Sequence, residues 1–377
     1  MIHHDVLIVG SGVMGVALAN SIDSDKLSIG IIESNPQPTL SKRHLSINQK
    51  SLNFLKDLDV WKKIEISAYP YRKIKVWDQE GSGYIEFDSQ EANIDLLGHI
   101  VSEGKIQKSL IDSLESKKVN FYWDNKLLDI EKNPSEVICT TSNDQISCKF
   151  LIGCDGINSS VRNLGKFKSR TWSYNQTAIV ANLKSSVVDS TIRQTFTKIG
   201  PLALLPINEN ELTMIWSIDD QFAFKFLQKE KKEFLEEINA HFGENFENLD
   251  FSTEIQHFPL NHLSSRTFAK DGIFLVGDAA HQIHPLAGLG LNAGLGDVIC
   301  LAKEINELGK SEVEKISQIY NRKRIPVNLA LAASMEAFKR GFEAKNIWLR
   351  LVRNSSFNLV NRLGPIKKKF MEFATEL

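Results

Sequence analysis

Residues 273–300 read IFLVGDAAHQIHPLAGLGLNAGLGDVIC, the stretch that most restricts what this chain can fold into. An apolar run, Ile273 to Val276, is short enough for a fully buried strand and breaks at Gly277-Asp278, a turn carrying a carboxylate. Pro285, Gly288 and Gly290 then keep the backbone irregular until Leu291, Ala293, Leu295 and Val298 restart a helical apolar spacing. A helix that starts this way points unpaired N–H groups and the positive end of its dipole into the space ahead of it. That space suits a group that gains negative charge.

The same strand, turn and helix pattern opens the chain. Asp5 to Val9 predicts a strand, Gly10-Ser11-Gly12-Val13-Met14-Gly15 a tight loop, Val16 to Ala19 a helix, and Ser28 to Ile32 a second strand ending at Glu33. In this order the first glycine permits the turn, the second lets backbone approach a pyrophosphate, and the third lets helix pack on strand. Glu33 stands where an acid meets a ribose diol. A dinucleotide-type adenosine site follows from the whole arrangement rather than from the glycines alone. A third such corner is FLIGCDGINSSVR, residues 150–162, where Asp155-Gly156 turns a buried strand into a helix capped by Asn158 or Ser159, with Arg162 in its first turns.

Between these corners the periodicity is coarser. Residues 41–64 place Leu52, Leu55, Leu58 and Trp61 at helical spacing, with Arg43 in the preceding loop, able to reach phosphate or to remain a solvated loop arginine. Tyr71 to Phe87 alternates as strands, and Ile100 to Leu114 reads as helix and contains Gln107. Residues 174–264 hold several strand-like runs and one helix near Lys229 to Phe242, an inserted, mainly β unit.

Four cysteines without ligand spacing predict reduced thiols and a cytoplasmic protein, and no run is long enough for a signal peptide or a membrane span. His281 and His284 lack a third ligand, so no metal is expected; a hydrogen-bonded structural role suits His284. No pattern identifies a general base. Charge is uneven: residues 322–377 carry twelve Lys and Arg against four Asp and Glu, a balance of +8 within a chain of net charge −1. Interleaved with Phe338, Trp348, Phe357 and Lys367-Lys368-Lys369, it fits either an amphipathic element on an anionic membrane surface or packed helices with a solvated basic face. No nucleic-acid reader motif accompanies it.

Together GSGVMG with Glu33, FLIGCDGINSSVR and GDAAHQIHPLAGLGLN resemble the motifs of the FAD-dependent aromatic hydroxylases related to p-hydroxybenzoate hydroxylase. AHQIHPLAGLGLNAGLGD is most similar to the ubiquinone-biosynthesis hydroxylase group. The resemblance implies an α/β fold: a Rossmann-like FAD-binding domain of glutathione-reductase type, an inserted mainly antiparallel β-sheet substrate domain, and C-terminal helices. The FAD-binding parts would be residues 1–70, 98–173 and 265–321, the substrate parts 71–97 and 174–264, and the basic helices 322–377. It further implies that Gly10, Gly12, Gly15, Glu33, Arg43, Gln107, Asp155, Gly156, Arg162, Gly277 and Asp278 lie along FAD, and that Pro285, Gly288, Leu289, Gly290, Leu291 and Asn292 line its ring. The implied reaction is hydroxylation of a hydrophobic prenylated phenol with O2 and NAD(P)H. The nicotinamide would be a transient co-substrate, consistent with the lack of a second glycine fingerprint. Peripheral attachment to the inner face of an anionic membrane and contact with other ubiquinone-biosynthesis proteins would follow. Two departures stand out: Leu289 occupies a position where that group usually has Gln, and Gly104 one where an arginine is common. A non-catalytic flavin-stabilised subunit of a membrane complex and a geranylgeranyl-reductase-like flavoprotein are the alternative readings.

Overall fold

The computed structural model describes residues 1–79, 83–186, 188–242, 248–284 and 288–343. Its first sheet has five parallel strands in the order Val119–Tyr122, Ile29–Ile32, Ile2–Val9, Gln145–Gly153 and Ile273–Leu275. Ala269–Lys270 extends one side antiparallel, and Val137–Thr141 with Leu127–Lys132 pairs antiparallel onto Gln145–Gly153. These central strands are continuous apolar runs because both faces are covered, among others by the helices Val13–Ser21, Glu103–Leu114 and Gly290–Leu308. Leu7, Ile8, Ile31, Leu151 and Phe274 are fully enclosed, each contributing about 1.5–3 kcal/mol of apolar burial.

Parallel direction has a functional consequence. Four neighbouring strands run out at the same edge, so Gly10, Glu33, Cys154-Asp155 and Gly277-Asp278 emerge side by side. Backbone bonds fix this convergence: Gly10 N–H to Ile32 O at 2.8 Å, Cys154 N–H to Val9 O at 2.8 Å, and Val276 N–H to Gly153 O at 3.0 Å. Segments far apart in sequence thereby form one rim, where open α/β sheets bind ligands.

The second sheet orders its main strands as His281–Gln282, Gln256–Ser265, Ser169–Lys184, Glu211–Asp219, Gly200–Asn208, Thr191–Thr197, Lys73–Asp78 and Tyr84–Asp88. All these neighbours pair antiparallel except Thr191–Thr197 with Lys73–Asp78. The helices Asp220–Leu227 and Lys231–Phe242 cover one face, burying Ile179, Met214, Trp216 and Phe234. His44–Ile47, Gly98–Ser102 and Tyr69–Tyr71 form a small third sheet.

Local differences from the sequence expectations have identifiable causes. Ile100 to Ser102 are strand, not helix, because Ile100 pairs with both Ser46 and Tyr69; the helix begins at Glu103. Residues 41–64 divide into His44–Ile47, a helix Gln49–Asp57 and a short helix Trp61–Glu65. The break occurs where Asn48 turns its side chain to accept from Ser51 N–H at 2.9 Å. Helix Asp220–Leu227 escaped the periodicity reading. From Val313 to Glu343 the chain is one helix containing Pro326. Two of the cations in the +8 balance are matched from outside that segment: Lys323 pairs with Glu304 at 2.7 Å and Arg324 with Asp297 at 2.6 Å. Trp348, Phe357 and Lys367 to Lys369 lie outside the described residues.

Candidate functional site

The glycine loop separates residues needed for packing from one left open. A Cβ on Gly10, whose φ is +104°, would lie 2.6 Å from Cys154 O, and one on Gly15 would lie 2.0 Å from Gly10 O. A Cβ on Gly12 would meet nothing within 4 Å. Two glycines are thus required by the fold, and the third is open toward the rim. Glu33 is half-buried and anchors the loop: its Oε2 accepts from Ser11 N–H at 2.9 Å and from Ser11 Oγ at 2.8 Å, while Oε1 accepts from Asn35 N–H at 3.0 Å. Burial raises its carboxyl, but the bonds from Ser11, Asn35 and Ser34 outweigh that and hold it below its ordinary value. Gln107, buried, donates its amide to Ser11 O at 2.9 Å, so it holds the loop from behind.

Asp278 is exposed at the rim, between the buried Gly277 and Ala279. Burial pushes its carboxyl upward, opposed by the nearby His281 and Arg43 and reinforced by Glu103. Arg43 makes a two-pronged bond to Glu103, Nε to Oε2 at 2.9 Å and Nη2 to Oε1 at 3.0 Å. Gly104 permits this. A Cβ there would come within 2.4 Å of Ser41 O, so the arginine common in the resembling group would displace the loop that carries Arg43. Ser159 caps the helix Ser160–Leu164, its Oγ accepting from Arg162 N–H at 2.9 Å, and Asp155 Oδ2 accepts from Ser160 N–H at 2.6 Å. Burial again raises this carboxyl, against bonds from Ser159, Val161 and Ser160. Arg162 is buried and donates to Ala279 O at 3.1 Å and Ile157 O at 2.6 Å, tying the Asp-Gly corner to the Gly-Asp corner. Gly156, at φ +75°, leaves open space where a Cβ would be.

The helix Gly290–Leu308 starts at Leu289 without a side-chain cap, and a Cβ on Gly290 would also meet open space. Asn292 is buried and clasps a distant segment: its Oδ1 accepts from Asn48 N–H at 2.9 Å and Ser51 Oγ at 2.8 Å, and its Nδ2 donates to Ser46 O at 2.9 Å. Leu291 is buried too. Pro285 lies outside the described residues. Leu289 joins an apolar cluster with Phe196, Val76, Val327 and Leu331, which accounts for a hydrocarbon at this position.

Beneath the Gly-Asp corner lies an ionic network that sequence reasoning missed. Fully buried Asp297 accepts from His281 Nε2 at 2.6 Å, Gly277 N–H at 3.2 Å, Arg324 Nε at 2.6 Å and Asn328 Nδ2 at 3.3 Å. Burial raises its carboxyl, but His281 and Arg324 more than offset this and hold it low. Asp297 lies on the Gly290–Leu308 helix sixteen residues beyond His281 and faces its partners only in the fold, so nothing local in the sequence announces it. His284 bonds to Gln176 Oε1 at 2.9 Å. Among the described residues no cluster has metal-ligand composition, all four cysteines are free thiols, and no helix is long and apolar enough to cross a membrane.

The open directions at Gly12, Gly156 and Gly290, the carboxylates of Glu33 and Asp278 and the uncapped helix start share one rim. This donor and acceptor set fits an extended dinucleotide with an anionic ring edge. Residues 3–334 match the family described as FAD binding domain. The chain belongs to that family. It is 30% identical to the 3-demethoxyubiquinol 3-hydroxylase of Escherichia coli (strain K12), covering 99% of this chain and 98% of that protein. It is 28% identical to the mitochondrial ubiquinone biosynthesis monooxygenase COQ6 of Xenopus tropicalis, covering 99% and 93%. In architecture it superposes on the p-nitrophenol 4-monooxygenase PnpA of Pseudomonas putida DLL-E4 with a TM-score of 0.82 at 15% identity, over 100% and 99% of the two chains. The family member described here is an FAD-dependent monooxygenase with NAD(P)H as its electron donor.

Proposed function

We propose that this monooxygenase hydroxylates the aromatic ring of a polyprenylated phenol in ubiquinone biosynthesis. The observation that carries the reading is the end-to-end kinship with two hydroxylases of that pathway. FAD, once reduced by NAD(P)H, supplies the chemistry with O2. The chain supplies position, charge and dryness. Backbone at Gly10 and Gly12 would face the pyrophosphate, Glu33 the ribose diol, and Asp278 the sugar-phosphate region. N–H groups at the start of Gly290–Leu308 would favour negative charge at the ring edge. Leu289, Phe196 and Val76 exclude water beside that edge.

The parallel strand order with its antiparallel Leu127–Lys132 and Val137–Thr141 extension supports a glutathione-reductase type of FAD domain, formed by residues 1–70, 98–173 and 265–321. The second sheet is then the substrate domain. A prenyl tail keeps such a substrate in a bilayer, at about 25 cal/mol per Å² of apolar area. The basic residues 322–377 would bring the enzyme to an anionic membrane surface. NADH and NADPH oxidation by FAD-reconstituted protein, with and without 2-prenylphenol, tests the reading: the phenol should accelerate oxidation severalfold. Oxidation unaffected by any prenylated phenol would contradict it.

A further inference from the structure

Where the first sheet hands over to the second, residues 163–175 and 257–270 carry Lys166, Lys168, Arg170, Arg266 and Lys270 and contain no Asp or Glu. Strand register gathers these charges further. Ser169 pairs with Ser265, Arg170 with Ser264 and Trp172 with His262. The ladder continues through Arg266 N–H to Lys168 O at 2.8 Å, which sets Lys168 opposite Arg266. Cross-strand partners share a face, so Lys168, Arg170 and Trp172 stand beside Arg266, Ser264 and His262 on one side of this ribbon.

Three features set that face apart from an ordinary solvated surface. Like charges directly opposite weaken a ladder, and Lys168 with Arg266 is such a pair. The side chains of Lys168, Arg170 and Arg266 are exposed and form no ion pair or hydrogen bond among the described residues. Trp172 lies flat on His262, ring centroids 3.6 Å apart at 16°, and is still 43% exposed. The face also leads toward the flavin-ring segment. A bulge between Ser173 and Gln176, with Asn175 at φ +51°, turns Tyr174 so that its Oη lies 3.3 Å from His262 Nδ1 and its ring meets that of His284 edge-on at 5.0 Å. His284 directly precedes Pro285. From that end the order is Tyr174, Trp172, Arg170, then Lys168 with Arg266, the last about 13 Å beyond Trp172 at about 3.3 Å per residue.

We propose that this ribbon face is where NADPH docks, its nicotinamide half toward Trp172, its pyrophosphate on Arg170 and its 2′-phosphate between Lys168 and Arg266. This rests on the reading of the reaction as NAD(P)H-driven and adds where the donor binds and which donor the chain prefers. A phosphate between Lys168 and Arg266 removes their repulsion and accepts charge-assisted hydrogen bonds from both. An aromatic ring with an open side suits a flat heterocycle.

Anaerobic reduction of FAD-loaded enzyme by NADPH and by NADH, followed as loss of flavin absorbance, tests the assignment. Wild type should reach its half-maximal rate at about 10-fold less NADPH than NADH, the worth of one charge-assisted hydrogen bond. In the Lys168→Gln, Arg266→Gln double variant that advantage should vanish, and calorimetry should show that 2′,5′-ADP no longer binds better than 5′-AMP. Its melting temperature should hold or rise, because a like-charged pair is gone. Arg170→Gln should weaken both donors alike, since both carry the pyrophosphate. A wild type without preference, or a double variant that keeps it, overturns the assignment. So does a double variant that keeps its affinity for 2′,5′-ADP and loses sedimentation with phosphatidylglycerol vesicles, which would make the patch a lipid surface. A flavin that neither donor reduces overturns the reading of the reaction as well.

Discussion

Replacing single glycines by alanine separates cofactor binding from folding. In Gly15→Ala the new methyl would sit 2.0 Å from Gly10 O, an overlap with backbone that no rotamer relieves. Overpacking of this kind costs about 1–3 kcal/mol and is only partly offset by the gain of about 0.5–1 kcal/mol in helix propensity. The apo-protein should lose stability. In Gly12→Ala the methyl enters open space, and the backbone at φ −64°, ψ 176° suits any residue. Reduced unfolded-state entropy and a slightly poorer helix cap then roughly cancel, leaving apo stability within about 1 kcal/mol of wild type. With FAD present the same methyl would occupy the space of the pyrophosphate. A similar overlap of about 1–3 kcal/mol would weaken FAD binding roughly 5- to 150-fold. Flavin-fluorescence titration of apo-protein, beside urea unfolding of the same samples, measures both quantities. Gly12→Ala binding FAD at wild-type strength would refute the argument that the open side of the loop is the cofactor's.

Other outcomes follow from the buried charges and the rim. Asp297→Ala leaves Arg324 buried without its partner and should cost about 3–5 kcal/mol in unfolding free energy. Adding Arg324→Met should recover part of that loss, and strictly additive losses would show that the pair is not coupled. Because the Asp297 carboxyl is held below its ordinary value, its contribution is present above about pH 4 and is lost as pH falls through the depressed folded value, visible in acid titrations of wild type against the double variant. Asp278 has the opposite sign: burial raises its carboxyl, so the ionised form costs stability above the folded value and Asp278→Asn should not lower the apo melting temperature. The same change should reduce FAD content, read from the ratio of 450 to 280 nm absorbance, at about these conventional wavelengths for flavin and protein. Replacing Lys367, Lys368 and Lys369 by Glu should reduce sedimentation with anionic vesicles without changing FAD content; equal binding to neutral vesicles, insensitive to salt, would show ordinary solvated surface.

The three corners were legible because each is local: a strand, a turn with special backbone demands, and a helix. Gly10 and Gly15 declare their roles through spacing, and the parallel order then brings the corners to one rim. What spacing could not reveal depends on register between distant segments. Asn292 clasps Asn48 and Ser51 across some 240 residues of sequence, and Asp297 meets His281 and Arg324 only after the last helix docks. Arg43 was legible as a loop arginine, but its partner Glu103 was not, since their approach depends on the missing side chain of Gly104.

Hydroxylation under ¹⁸O2 tests the central claim most directly. FAD-loaded enzyme given NAD(P)H and 2-prenylphenol in an ¹⁸O2 atmosphere should yield a ring-hydroxylated product containing one ¹⁸O, with one NAD(P)H consumed per product. Unlabelled product, or NAD(P)H consumption that ends only in hydrogen peroxide with every prenylated phenol offered, would contradict the account.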